Sequence, residues 1–164
     1  MDEIFDVVNE RDEVIGQLAR QEVHRQGLKH RAVHVLIFNS RGEIFLQKRS
    51  MKKDNHPGVW DSSASRHVDC GEDYDACAIR EVGEELGVRL ECVPKRVLRI
   101  EACEETGQEF VWVYQCEHEG PFTLHPEEID TGGWFAPERV RQWIAEAPSE
   151  FAPAFICIWR QLMM

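Results

Sequence analysis

Apolar and polar residues alternate in short runs along most of the chain, and turn-forming residues close the runs. "EIFDVV" (3–8), "NERDE" and "VIGQL" (14–18) predict a strand, a turn and a strand. "QEVHRQGLKH" (21–30) reads as a connector, because Gly27 interrupts any helix there. "AVHVLIFN" (32–39), then "SRGE", then "IFLQKRS" (44–50) predict a hairpin with its turn at Ser40–Gly42. "MKKDNHPGVWDSSAS" (51–65) is a long polar loop. From 74 to 86 the apolar period becomes helical. "VPKRVLRIEAC" (93–103) and "EFVWVYQCE" (109–117) predict two strands joined around Thr106–Gly107. "PFTLHPEEIDTGG" (121–133) is a loop that feeds a short strand at Trp134–Phe135. "APERVRQWIAEA" (136–147) opens a helix with Pro137 in its first turn. "SEFAPAFICIWRQLMM" (149–164) predicts a last helix that starts near Pro153. Strands and helices mix without a regular βαβ rhythm, so the class is α/β with a mixed sheet covered by helices.

Length and charge narrow the picture. The 164 residues suit one domain, with the hairpin at about 1–30 as an N-terminal extension. The net charge of −11 disfavours a nucleic-acid polymer as partner, but not a small anion held through cations. No apolar run approaches the ~18 residues of a membrane span. "MDEIFDVVNERDE" has the wrong character for a presequence. The six cysteines form no CxxC pair, so free thiols and a cytoplasmic setting are expected.

The densest chemistry lies in "REVGEELGV" (80–88). At ~100° per residue, Glu81, Glu84 and Glu85 fall within an arc of about 100°, with Ile79, Val82 and Leu86 nearly opposite. Asp73 suits an N-cap, Gly87 a left-handed terminator. Arg80 stands four residues before Glu84, within reach of its carboxylate. An acidic helix face is ordinarily a solvated surface. Here like charges repel by a few tenths of a kcal/mol per pair, and two glutamates sit where the helix dipole disfavours anions. A divalent cation would reverse that cost, and clustered carboxylates suit Mg²⁺ or Mn²⁺.

These residues resemble the Nudix hydrolases. Their box runs glycine, five residues, glutamate, seven residues, then R-E-U-x-E-E-x-G-U, where U is bulky and aliphatic. Glu72 and Arg80-Glu81-Val82-Gly83-Glu84-Glu85-Leu86-Gly87-Val88 match every fixed position from the glutamate onward. The box would span 66–88. The resemblance implies an α/β/α sandwich with a mixed sheet between helices. It implies Mg²⁺ or Mn²⁺ on Glu81, Glu84 and Glu85, Arg80 positioning a glutamate, and Glu72 in a supporting role. The reaction it implies is attack of water on a phosphorus of a nucleoside diphosphate derivative or similar small diphosphate metabolite. Catalytic work would fall to Glu84, Glu81 and Arg80.

One position departs. Arg66 stands where the box begins with glycine. Arginine keeps the backbone carbonyl but adds a bulky cation beside the expected phosphate site. It reads as a phosphate contact that tunes substrate choice, or as a substitution that weakens activity.

Other roles lie outside the box. Glu128, beside Glu127 in "HPEEIDTGGW", is the first choice of general base there, and Glu109 is another candidate. Arg49 and Lys48 in "FLQKRS" are expected to contact substrate phosphate, with Lys52 close by; strand-end solubility is the plainer use of each. Trp60, Trp112 and Trp134 offer stacking surfaces, although core packing is their commoner use. A homodimer is compatible with the apolar "FICIWRQLMM" at the C-terminus.

Two alternatives stand beside the hydrolase. "DVVNERDEVIGQLARQEVHRQGLKHRA", "FLQKRS" and "HPGVWDSSAS" resemble the Nudix branch of isopentenyl-diphosphate isomerase. That enzyme needs a cysteine two residues before the histidine of a CxHP segment, and a histidine-plus-glutamate metal site. Ser65 and Val68 replace the cysteine and proline in "SRHV". His67 matches the histidine, while His24, His30 and Glu109 fall near other metal positions. Taken singly, each histidine is a packing or surface residue. A hydroxyl pKa is far too high for the thiol's role, which favours the hydrolase. The other alternative, a non-catalytic Nudix-like nucleotide-binding domain, usually lacks box carboxylates, and all are present here.

Overall fold

The structure is a computed structural model that describes residues 3–163; residues 1, 2 and 164 lie outside the description. Its central strand is β3 (His30–Phe38), apolar on both faces because both faces are covered. On one side β3 pairs in parallel with β8 (Glu109–Glu117), in register from His30↔Glu109 to Phe38↔Glu117. On the other it pairs antiparallel with β6 (Ala64–His67), setting Ala32 against His67 and Val33 against Arg66. β7 (Lys95–Ile100) adds antiparallel to β8.

The predicted β3–β4 hairpin holds only at its turn. β4 (Ile44–Arg49) pairs with β3 at Phe38↔Ile44 and then diverges. β6 takes the vacated edge of β3. β4 pairs instead with β5 (Trp60–Asp61) and β9 (Ile129–Phe135). Two short strands thus arise inside the expected loop, and β9 begins at Ile129 rather than Trp134. The edge of β4 supplies ladder partners to the polar residues 129–133, so tertiary pairing overrides weak strand propensity.

The pleat of β3 divides the core. Val33, Val35 and Ile37 pack with α2 (Tyr74–Leu86). Ala32 and Leu36 pack toward α3 (Pro137–Glu146) and α4 (Pro153–Met163). The result is the expected mixed sheet between helices. The C-terminal helix buries Phe155, Ile158 and Trp159 in this core, so its apolar face serves the fold. Each such side chain contributes about 1.5–3 kcal/mol when buried.

β1 (Ile4–Val8) and β2 (Val14–Ala19) form their own two-stranded sheet. The expected connector that follows holds a helix, α1 (Arg20–Gln26). Gly27 does not prevent that helix. It ends it, at φ 64°, while Val23 is buried with Phe5 and Val7.

α2 is bounded as its sequence predicts. A carboxylate oxygen of Asp73 accepts from the Ala76 N–H at 2.7 Å. Gly87 takes φ 70° and donates to the Gly83 carbonyl. A Cβ at Gly87 would stand 3.0 Å from Cβ of Thr123 and 3.4 Å from its carbonyl oxygen. The left-handed conformation itself costs a residue with a Cβ about 1–2 kcal/mol. Gly87→Ala is therefore expected to lower stability by about 1–3 kcal/mol. Urea denaturation should show a lower midpoint at unchanged slope; an unchanged midpoint would contradict this account of the helix end.

Candidate active site

Glu81 and Glu85 do not lie on an exposed acidic face. Both are buried against the sheet, at 0% and 3% exposure, whereas the Glu84 side chain is half exposed. The expected division into a core face and a carboxylate face is corrected accordingly. Polar groups from the sheet make the burial feasible. Gln47 on β4 donates to Glu85 at 2.8 Å, and the Ser65 N–H on β6 donates at 3.2 Å. Arg80 reaches Glu81 at 2.5 Å and Glu84 at 3.1 Å. It also forks onto Glu72 at 2.7 and 2.8 Å. The expected Arg80–Glu84 contact is thus part of a larger cluster, and Glu72 acts through Arg80.

The pair stays under-satisfied. Oε2 of Glu81 is buried and accepts from no N–H or hydroxyl; the group beside Glu81 is the Glu85 carboxyl. Burial pushes the Glu81 carboxyl up to about 7, against the pull of Arg66 and Arg80. Burial, and then the neighbouring Glu81, raise Glu85 well above the carboxylate range. Two buried carboxyls with an unmatched oxygen, and Glu84 close by, form an oxygen donor set that fits a hard divalent cation.

A cavity of about 900 Å³ opens beside this pair. Its wall on the box side consists of Ser65 and Arg66, with the box glutamates behind. Arg66 is paired with Val33, so its side chain shares the α2 face. Its guanidinium contacts Oε1 of Glu128 at 3.0 Å and Oε1 of Glu3 at 2.8 Å. Lys53 pairs with the other oxygen of Glu128. Burial alone would raise the Glu128 carboxyl, but Lys53 and Arg66 outweigh it and hold it below the usual range.

Across the cleft the β3–β8 and β3–β6 registers gather a second cluster. Glu109 lies 2.7 Å from Nε2 of His67 and 3.4 Å from Nε2 of His30. Nδ1 of His30 donates to the Leu28 carbonyl at 2.8 Å. Nε2 of the same ring is buried, faces the Glu109 carboxylate at 3.4 Å and has no hydrogen-bond partner of good geometry. One nitrogen each from His24, His30 and His67 lies within 4.8 Å of the others. Burial, then His67 and His30, lower the His24 ring to about 4, its neutral, ligating form. Burial opposes ionisation of Glu109, but His67 and His30 hold it far below its usual range. Phe5 of β1 covers all three rings.

Other residues fall differently from the expectation. Arg49 lines the cleft, but its guanidinium donates to the carbonyls of Asn55 and His56 at 2.6 and 3.0 Å, holding the 50–58 loop. Lys48 shares the strand parity of Ile44 and Leu46 and does not line the cleft. Glu127 is exposed and 3.4 Å from Lys52. Trp60 and Trp134 pack on neighbouring aromatics, and Trp112 lies under the Arg96 guanidinium. Lys53 was not singled out by sequence reasoning; it carries no motif, and long-range contacts such as the Ser50 N–H to the Glu128 carbonyl bring its loop to the cleft. The histidine cluster was legible only through the isomerase resemblance, because strand register brings its members together.

Comparison with known proteins agrees with this geometry. The NUDIX domain model matches residues 28–155. An uncharacterized Nudix hydrolase of Yersinia pestis is 38% identical over 143 residues, covering 84% of this chain and 75% of that protein. A Nudix hydrolase of Deinococcus radiodurans is 33% identical over 145 residues, covering 88% and 85%. The crystal structure of DR0079 from Deinococcus radiodurans superposes with a TM-score of 0.88 at 29% identity, covering 99% of this chain and all of that one. A buried carboxylate pair beside a large cleft, on a chain matched over most of its length, leads to one assignment: this protein belongs to the NUDIX domain family, as one of its hydrolases.

Proposed function

We propose that the protein is a Mg²⁺- or Mn²⁺-dependent pyrophosphohydrolase, acting on a nucleoside diphosphate derivative or similar small diphosphate metabolite. The supporting observation is the buried Glu81–Glu85 pair with its unpartnered oxygen, set directly behind a cleft rimmed by Lys53 and Arg66. Residues 1–164 act as one domain, with the hairpin at about 1–30 as an extension. Glu81, Glu84 and Glu85 would hold the cation, and Arg80, anchored by Glu72, fixes Glu81 and Glu84 directly. When bound there, a divalent cation would supply charge neutralisation for a diphosphate and activation of water. Arg66 and Lys53 receive phosphate oxygens. Glu128 is ionised at the cleft and accepts the proton of the attacking water once Arg66 and Lys53 have turned to the substrate.

The assembled histidine cluster favours a second reading, isomerase-like proton chemistry on an allylic diphosphate. Against it, the Ser65 hydroxyl stands where a thiol is required and donates to Asp61 at 3.3 Å. We infer that His24, His30, His67 and Glu109 hold a cation of the imidazole-preferring kind, as the isomerase resemblance implies, within a hydrolase.

Incubating a panel of diphosphate metabolites, isopentenyl diphosphate included, with Mg²⁺ or Mn²⁺ should yield two phosphate-bearing products from at least one member. Chelator should abolish turnover. Glu81→Gln and Glu85→Gln should each lower kcat by on the order of 10²-fold or more. Full turnover in chelator, or dimethylallyl diphosphate as the product, would reverse the assignment.

The raised carboxyls also set a pH dependence. A carboxyl raised to about 7 contributes stability that is complete below the ordinary carboxylate pKa and is lost as pH rises through 7. The metal-free protein should melt lower at pH 8 than at pH 6, and Mg²⁺ should narrow the gap because binding displaces the proton. Calorimetry in buffers of different ionisation enthalpy should show proton release on Mg²⁺ binding at pH 6.5; its absence would contradict the raised carboxyl.

For the histidine cluster, equilibrium dialysis against Zn²⁺ or Mn²⁺ should show one equivalent that His67→Ala removes. Equal content in both forms would place that ion elsewhere.

A further inference from the structure

Arg66 occupies an unusual place for a phosphate-binding residue. Its pairing with Val33 puts it on the α2 side of the sheet, so the guanidinium enters the acidic region from the box side. There it contacts Glu128 at 3.0 Å and Glu3 at 2.8 Å, and its charge also acts on Glu81. The side chain is only 24% exposed, so solvent screens these attractions weakly. It lines the cleft, which Glu81, Glu84 and Glu85 do not. Before any ligand arrives, one positive charge already answers part of the negative charge that attracts such an ion.

We propose that Arg66 is a tethered counter-cation of the box, so that divalent cation and diphosphate bind cooperatively. Without substrate, the guanidinium partly neutralises the Glu81–Glu128 region and repels an incoming Mg²⁺. When a diphosphate enters, its oxygens replace the Glu128 and Glu3 carboxylates as partners of Arg66. The guanidinium turns toward the cleft, the box regains its negative charge and Mg²⁺ affinity rises. Glu128 is released in the same movement. Linkage makes the effect reciprocal: Mg²⁺ must raise diphosphate affinity by the same factor. The inference rests on the reading of Glu81, Glu84 and Glu85 as the cation site.

The test is calorimetric titration of Mg²⁺, whose preference for oxygen ligands directs it to the box rather than the histidines. Methylenediphosphonate, which cannot be hydrolysed to phosphate, serves as the probe anion. Direct bonding between Mg²⁺ and the probe raises affinity in every form, so the informative quantity is the difference between variants. Arg66→Gly is expected to bind Mg²⁺ about 10-fold more tightly than the wild type without the probe, and to gain correspondingly less when the probe is added; couplings of roughly 5–150-fold are typical of such linkage. Arg66→Gln, neutral and of similar reach, should behave like Arg66→Gly should the glycine variant fail to fold. Arg66→Lys, which keeps the charge, should stay near the wild type. Equal Mg²⁺ affinity in the wild type and Arg66→Gln overturns the counter-cation. Glu85→Gln separates the two ideas. If it leaves Mg²⁺ binding unchanged, the box is not the cation site, and the underlying reading fails with the inference.

Discussion

The burial of two carboxyl groups at the junction of α2 with β4 and β6 is the constraint around which the site is organised. A buried carboxylate costs several kcal/mol unless it is matched, and two adjacent ones cost more. The chain meets this with a directed set of donors: Gln47 and the Ser65 N–H for Glu85, and Arg80 for Glu81. One oxygen is left over. Matching that is nearly complete, yet short by one partner, is the feature on which the proposed cation site rests.

The arrangement needs a rigid frame, and the sheet supplies it. β3 is buried on both faces and pairs with β8 along its full length, so the positions of β6 and β8 side chains are set by register. A one-residue slip in the β3–β6 pairing would turn Arg66 to the opposite face and bring Ser65 or His67 toward the box. The same ladder places His67 and Glu109 beside His30. Two clusters of different donor chemistry, one of carboxylates and one of imidazoles, thus depend on one strand.

The basic side chains of the cleft are each held by nearby acceptors, in a chain that carries −11 as a whole. Arg20 and Arg49 hold the 50–58 loop, through Asp54 and through backbone carbonyls. Lys53 and Arg66 converge on the single carboxylate of Glu128, whose two oxygens offer a partial likeness of a phosphate. Basic residues are few, and their division between holding the loop and facing the cleft decides which of them can meet a substrate.

The helix from 74 to 86, its Asp73 cap, its Gly87 stop and the Arg80–Glu84 contact were all legible in the sequence, because each is a local property of consecutive residues. So were the long strands at 32–39 and 109–117, whose apolar pattern is dense enough to demand burial. The box, with its fixed spacing on one helix, carried the family with it. Only the tertiary structure decided which glutamates are buried, since an arc of a helix acquires an inside when Gln47 and Ser65 arrive from distant strands. It alone turned residues 129–133 into a strand, sent Lys48 to the far face and engaged Arg49 with its own loop. It also assembled His24, His30, His67 and Glu109, separated by up to 85 positions in the chain, into one cluster. The physical reason is common to all of these: local sequence sets which conformations a segment prefers, whereas partners far along the chain decide which side chains lose their water and what replaces it.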